Sequence, residues 1–114
     1  MMNETEYRRL ADNAFERIEK VTNDLDPDVI EVERRPGVIS IVMQQTGKKI
    51  TCILSTQVAT RQIWLAISAT ASAIKFSYDE ERKAWVDDKE VKTELFSFLS
   101  QQISQYTSLN LEFY

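Results

Sequence analysis

Residues 29–54 read VIEVERRPGVISIVMQQTGKKITCIL, and this stretch decides the fold. Apolar and polar side chains alternate over residues 29–34, which is typical of a half-buried strand. Residues 37–43 and 49–54 are rich in β-branched side chains, and Pro-Gly and Thr-Gly pairs separate the three runs. The stretch therefore predicts a meander of three strands.

Three further strands are predicted downstream of this meander. They are QIWLAI (residues 62–67), AIKFSY (residues 73–78) and the short KAWV (residues 83–86). The polar run DEER, residues 79–82, predicts a hairpin connection by its charge, although it contains no glycine. The chain thus has about six strands in one continuous block.

A helix is predicted before this block, over residues 4–25, because apolar side chains recur there at spacings of three and four. Pro27 ends the pattern, since its ring cannot continue helical hydrogen bonding. The core-facing stripe consists of Tyr7, Leu10, Ala11, Ala14, Phe15, Ile18, Val21 and Leu25.

A second helix is predicted after the last strand. Asp87 and Glu90 have the spacing of a capping box, which indicates a helix start at this point. The tail SLNLEFY, residues 108–114, alternates and predicts an extended segment that closes against the fold. The apolar stripe of this helix consists of Val91, Leu95, Phe98, Leu99, Ile103 and Tyr106.

Strands in one block with a helix at each end predict an α+β fold. We expect a two-layer sandwich, in which an antiparallel sheet of about six strands carries the N- and C-terminal helices on one face. A length of 114 residues predicts a single domain over residues 1–114.

The composition excludes several kinds of chemistry. The chain has no histidine and one cysteine, Cys52, which excludes zinc fingers, intrachain disulfides and Cys–His nucleophile pairs. Any metal must therefore be held by oxygen, and no phosphate-binding loop or nucleotide fingerprint is present. Cys52 lies in an apolar strand and is predicted to pack as a small hydrophobe.

No segment approaches the roughly 20 apolar residues of a membrane span. Residues 1–12, MMNETEYRRLAD, lack the basic start and apolar run of a secretory signal and are too acidic for a transit peptide. We therefore expect a cytoplasmic protein that does not enter a membrane.

The net charge of −4 is unevenly distributed along the chain. Residues 1–33 carry ten acidic and four basic side chains, whereas residues 34–114 carry eight acidic and ten basic ones. Asp12, Glu16 and Glu19 fall on one side of the first helix at 100° per residue. The acidic first third disfavours nucleic acid as a partner and favours cations or a basic protein surface. Carboxylates on neighbouring turns can form an open, weak cation site, or they can simply be a solvated charged surface.

Trp64 is a candidate contact residue on the opposite side of the molecule. Alternation places it on the other face from Ile63 and Leu65, which in a two-layer sandwich is the face without helices. Exposed tryptophans are enriched at binding hot spots, but neighbouring strand side chains can also cover the ring. Trp85 is predicted to pack in the core or across strands.

Four short motifs in this order resemble one known family. They are EYRRLAD (residues 6–12), GVISI (residues 37–41), QVATRQIWLA (residues 57–66) and KAWV (residues 83–86). Together they resemble the frataxin family, of the bacterial CyaY type, and the resemblance runs from end to end. Lys20 and Asn23 stand where the family usually has acidic residues.

The resemblance implies an iron-binding protein of iron–sulfur cluster assembly that delivers or senses ferrous iron. Its implied partners are a cysteine desulfurase, whose output it modulates, and a scaffold protein. The resemblance implies that the sheet face towards these partners carries Gln57, Gln62 and Trp64. The implied state without iron is a monomer, and the implied cofactor is weakly held Fe²⁺ or Fe³⁺, with no organic cofactor. The metal-binding acids implied by the family pattern are Asp12, Glu16, Glu19, Asp24, Asp26, Asp28, Glu31 and Glu33.

The resemblance also allows a ferroxidase activity, reported for some family members, although no residue pattern predicts catalysis and we expect no enzyme. An alternative of a different class is a small, acidic, secretion-chaperone-like adaptor that dimerises and binds a partner polypeptide. Such an adaptor needs a large apolar dimer face.

Overall fold

The computed structural model describes residues 2–45, 47–89 and 92–113. A first helix, α1 (Glu4–Thr22), precedes a block of strands, and a second helix, α2 (Leu95–Tyr106), follows it. A short 3-10 turn, Val58–Thr60, connects the third and fourth strands. The strands are β1 (Ile30–Arg35), β2 (Val38–Gln45), β3 (Lys48–Gln57), β4 (Gln62–Ile67), β5 (Ser72–Asp79) and β6 (Ala84–Asp87).

All six strands form one antiparallel sheet in the order of the sequence, β1-β2-β3-β4-β5-β6. Gly37 and Gly47, with φ of +75° and +83°, make the first two reversals. The β5–β6 connection has no glycine, and Lys83 takes the left-handed conformation there, with φ of +52°. The predicted α+β fold and its six-stranded antiparallel sheet are confirmed.

The core lies on one face of the sheet, under the two helices. Ile39 and Ile41 of β2, Leu54 of β3 and Leu65 of β4 are all 0% exposed. The residues that alternate with them point to the other face, where Ile53 is 42% exposed. The sheet therefore has one covered face and one open face, as alternation predicts.

Helix α1 is shorter than the predicted residues 4–25. Asn3 caps its start, because its Oδ1 accepts a hydrogen bond from the Glu6 amide at 2.8 Å. At the other end the Thr22 hydroxyl donates to the Ile18 carbonyl at 2.7 Å. Residues 23–25 form a turn after the helix, so α1 ends at Thr22, three residues earlier than predicted.

The predicted start of α2 is wrong. Asp87 ends β6, and its backbone amide donates to the Thr93 carbonyl at 3.0 Å, so the chain first runs back beside β6. The cap is Glu94, whose carboxylate accepts from the Phe96 and Ser97 amides at 2.8 and 3.1 Å. Glu90 of the predicted capping box, like Val91 of the predicted stripe, lies outside the described residues.

The rest of the second stripe and the described part of the tail pack against the fold, as predicted, while Tyr114 of the predicted tail lies outside the described residues. Leu95, Leu99 and Ile103 are buried. Residues 109–113 of the tail have no regular secondary structure, but Leu109, Leu111 and Phe113 pack against the core, and the Phe113 ring lies on Phe96 with ring centroids 5.5 Å apart. Among the described residues, no helix combines the length and apolar character needed to cross a membrane.

Candidate functional site

Arg34 of β1 lies at the centre of the acidic surface on α1. Its Nη1 donates to Glu19 Oε1 at 2.8 Å and its Nη2 donates to Asp12 Oδ1 at 3.2 Å. The guanidinium carbon lies 5.8 Å from the centre of the Phe15 ring. The Arg34 side chain is only 27% exposed, and the hydrogen bond to Glu19 raises its pKa further above the ordinary value. Two of the expected metal ligands are therefore bridged by an internal cation.

The remaining expected acids on α1 and β1 are distributed around this bridge. Glu16 is exposed on α1, and its charge also acts on Arg34. Glu31 and Glu33 leave β1 on the side away from the buried Ile30. Glu33 accepts from Arg35 at 2.7 Å, so it too faces an arginine of the same strand.

The end of α1 and the edge strand β1 enclose a cavity of about 240 Å³. Glu19 and Glu31 are both among the residues that line it, although the Glu31 side chain leaves β1 on the side away from Ile30. The uncharged lining residues are Thr22, Asn23, Leu25, Pro27, Ile30 and Val32.

The connection between α1 and β1 carries the other three expected ligands, Asp24, Asp26 and Asp28, all exposed. Asp26 shapes this turn, because its Oδ1 accepts from the Asp28 amide at 2.9 Å and its carbonyl accepts from the Ile30 amide at 3.0 Å. Within residues 2–45, 47–89 and 92–113, no three aspartate, glutamate or cysteine side chains lie close enough together to hold one ion. The acids form an open surface rather than a preformed cage.

The second candidate surface is the open face of the sheet around Trp64. Trp64 alternates with the buried Ile63 and Leu65 and therefore lies on the open face, as predicted. In the strand register it lies between Ser55 of β3 and Lys75 of β5. It is half-buried rather than fully exposed. Its Nε1 donates to Gln62 Oε1 at 2.9 Å, and the Lys75 ammonium lies 4.7 Å from the ring centre. Two neighbours thus hold the indole in one orientation.

The two expected glutamines also lie on this open face and are held by hydroxyl groups. Gln57 Nε2 donates to Ser55 Oγ, and Gln62 Nε2 donates to Ser77 Oγ, both at 3.2 Å. The Gln62 carbonyl accepts from the Tyr7 hydroxyl at 2.6 Å, which ties the start of β4 to α1. The structure therefore brings Gln57, Gln62 and Trp64 together on one surface.

A shallow apolar depression of about 420 Å³ lies next to Trp64 on the same face. Ile53, Ala66 and Ala73 pair across three strands at its centre. Small side chains on β4 and β5 leave Ile53 exposed, so this part of the sheet offers apolar area to a partner.

Cys52 and Trp85 take the places expected for them. Cys52 is 1% exposed, and burial raises the pKa of its thiol to about 11, which leaves it un-ionised and unreactive at neutral pH. Trp85 is 3% exposed and packs edge-on against Tyr7 and Tyr78.

Two side chains at these surfaces were missed in the sequence, Arg34 and Lys75. Arg34 follows Ile30 and Val32 at a spacing of two, and this spacing places it on the helix-covered side of β1. A basic residue in that position is the signal that would have suggested a partner on the acidic side of α1. The contact of Lys75 with Trp64 depends on the register of β4 and β5, which local sequence does not reveal.

Comparisons with known proteins agree with this fold. The frataxin-like domain model matches residues 1–109 of the chain. The iron-sulfur cluster assembly protein CyaY of Pseudomonas fluorescens (strain SBW25) is 31% identical over 112 residues, which cover 98% of this chain and 96% of that protein. The protein of the same name from Azotobacter vinelandii is 34% identical over 87 residues, which cover 76% of this chain and 74% of that protein.

A solved structure of a frataxin from Psychromonas ingrahamii is similar in fold, with a TM-score of 0.82 at 22% sequence identity. The similarity covers 99% of both chains. The family match over residues 1–109 and the relatives above show that this chain belongs to the frataxin-like family.

Proposed function

We propose that this chain acts in iron–sulfur cluster assembly as an iron-binding protein that delivers or senses Fe²⁺. The observation that carries this proposal is the family match over residues 1–109, together with relatives named as iron–sulfur cluster assembly proteins. Membership of this family gives no support to the alternative of a dimerising secretion-chaperone-like adaptor.

The proposed iron site is the acidic surface of α1, the following turn and β1. Carboxylates are hard oxygen ligands, and on an open surface they leave coordination positions to water. Iron held in this way binds weakly and exchanges readily, which suits transfer to another protein. The proposed ligands are drawn from Asp12, Glu16, Glu19, Asp24, Asp26, Asp28, Glu31 and Glu33.

The proposed partner surface is the open face of the sheet. Trp64 offers a large aromatic side chain held by Gln62, and Ile53 offers exposed apolar area nearby. Aromatic side chains in such settings contribute strongly to protein binding. We propose that this face, including Gln57, contacts the complex of cysteine desulfurase and scaffold protein, and that the acidic surface adds electrostatic attraction.

The proposed role is regulatory rather than catalytic. The chain has no histidine to act as a general base. Its one thiol, Cys52, is buried and un-ionised near neutral pH, so it is a poor nucleophile. We propose that residues 1–114 work as one domain, as a monomer in the absence of iron, in the cytoplasm.

The test is desulfurase turnover on the scaffold, measured anaerobically with and without this protein across a titration of Fe²⁺. We expect the protein to change turnover by an amount that depends on iron. Turnover that is the same with and without the protein at every iron concentration would contradict the proposal.

The site is tested separately, by recording amide NMR spectra during an anaerobic addition of Fe²⁺. We expect the amide signals of Asp12, Glu19 and Glu31 to broaden first. Broadening confined to other regions would place the iron elsewhere and disprove the proposed ligands.

A further inference from the structure

Arg34 occupies the acidic surface of α1 as a cation of the protein itself. Its two terminal nitrogens reach two carboxylates that lie seven residues apart on the helix, Asp12 and Glu19, at 3.2 and 2.8 Å. A guanidinium fork is suited to this double contact, and stacking on Phe15 holds its plane in place. The contact joins β1 to α1 across 15 residues of sequence for Glu19 and 22 for Asp12.

The bridge uses one oxygen of each of two carboxylates that are proposed metal ligands. Glu19 Oε1 and Asp12 Oδ1 each accept a hydrogen bond from Arg34. A metal ion beside these oxygens would lie within a few ångströms of a fixed positive charge, which repels it strongly at partly buried positions. A metal ion that takes the place of Arg34 between both carboxylates therefore requires the guanidinium to leave.

We infer that Arg34 competes with metal ions for the carboxylates of Asp12 and Glu19. In this way Arg34 sets how tightly the acidic surface binds a metal ion and makes it favour ions of higher charge. This inference rests on the proposed iron-binding function and adds the residue that regulates it. A site whose competent state is only partly populated binds with its intrinsic affinity reduced by that fraction. A monovalent ion replaces the guanidinium without gain in charge, whereas a divalent or trivalent ion gains charge at the same oxygens.

Arg35 provides the matched control. It is the next residue, carries the same charge and pairs with Glu33 at 2.7 Å, but its side chain is 75% exposed and alternates to the other side of β1. Arg34→Gln and Arg35→Gln therefore change the net charge equally, and only the first opens the bridge on α1. Arg34→Lys keeps both the charge and the aliphatic stem while removing the fork that spans two carboxylates.

The experiment measures Mn²⁺ binding to the full chain and its variants by electron paramagnetic resonance at low salt, with Mn²⁺ as a redox-stable probe. We expect Arg34→Gln to tighten binding by about tenfold, because it frees two carboxylates. Arg35→Gln should tighten binding by less than about twofold, because it frees only Glu33 and solvent screens that exposed pair. Arg34→Lys should also tighten binding, by about threefold, because a single ammonium cannot hold both carboxylates. In NMR spectra recorded with added Mn²⁺, the paramagnetic broadening of the Asp12 and Glu19 amide signals should increase in both Arg34 variants.

Equal affinities for Arg34→Gln and Arg35→Gln would overturn the inference while leaving the proposed iron binding intact. Unchanged affinity in Arg34→Lys, with unchanged broadening at Asp12 and Glu19, would overturn it as well. A complete lack of Mn²⁺ binding in the unmodified chain and in every variant would overturn the inference and the proposed iron site together.

Discussion

The acidic surface of α1 and β1 and the open face of the sheet are organised in opposite ways. On the first, charged groups neutralise one another, as in the bridge from Arg34 to Glu19 and Asp12. On the second, polar neighbours hold an aromatic ring in place, as Gln62 and Lys75 do for Trp64. On our proposal, a cation that binds at Asp12 and Glu19 must first displace Arg34, whereas a partner that binds at Trp64 meets a ring already held in one orientation.

The largest expected effect breaks the second surface alone. Trp64→Arg places a charge on the apolar part of the open face, and we expect it to weaken binding to the desulfurase–scaffold complex by about 2 to 4 kcal/mol. Surface plasmon resonance checks this. The control, Trp64→Phe, keeps an aromatic ring but loses the hydrogen bond to Gln62, and it should cost about 1 kcal/mol. Unchanged affinity of Trp64→Arg would disprove the role of this face.

A thiol on β3 should differ in reactivity between the two faces of the strand, because Cys52 points to the core and Ile53 to the open face. The thiol of Cys52 has a pKa of about 11, above its ordinary value of 9.0, because burial disfavours the thiolate. The unfolded chain therefore releases this proton first as the pH rises. We expect the free energy of unfolding to fall between pH 9 and pH 11 by up to about 3 kcal/mol from this group.

Urea denaturation at several pH values measures this fall, and Cys52→Ala is the control that should lose less stability over the same range. Equal falls in both proteins would show that the thiol does not contribute. Ile53→Cys in the Cys52→Ala background should react readily with iodoacetamide at pH 8, where native Cys52 stays unmodified.

A smaller effect is expected for the bridge on the first surface. Glu19→Gln removes the charge-assisted partner of Arg34, and we expect it to lower the free energy of unfolding by about 1 kcal/mol, since both side chains are partly exposed. Glu16→Gln is the control, and because Glu16 is exposed it should cost less than about 0.5 kcal/mol. Equal values in urea denaturation would mean that the bridge contributes no stability of its own.

The smallest effect concerns the cation beside Trp64. Lys75→Gln removes the ammonium above the ring and should weaken partner binding by about 0.5 kcal/mol, as for cation–π contacts near a surface. Lys83→Gln, on the β5–β6 turn, changes the charge equally away from Trp64 and serves as the control. A shift in tryptophan fluorescence confined to Lys75→Gln would support the contact, and identical effects of the two variants would contradict it.

Much of the architecture was predictable because its signals are local. The period-two alternation in residues 62–67 placed Trp64 on the open face and matched the bounds of β4. The start of α2 was not predictable, because Asp87 has a suitable spacing for a cap but its backbone pairs with Thr93 beside β6. A capping signal competes there with strand pairing, and the pairing depends on a segment that comes later in the chain.

The candidate surfaces, too, were predictable from the sequence only in part. The concentration of acids in residues 1–33 was visible in the sequence, and the family resemblance implied which eight of them bind metal, but neither revealed which of them already have partners. Arg34 finds Asp12 and Glu19 only because α1 packs on β1, which brings residues from distant points of the chain to within hydrogen-bonding distance.

The sequence by itself determined the element types, the two faces of the sheet and the oxygen-only character of any metal site, because side-chain alternation and residue chemistry are properties of neighbouring or single residues. Only the tertiary structure decided that the acidic surface carries its own cation and that Trp64 is held by Gln62 and Lys75. Those contacts arise from helix packing and strand register, which the whole chain sets together.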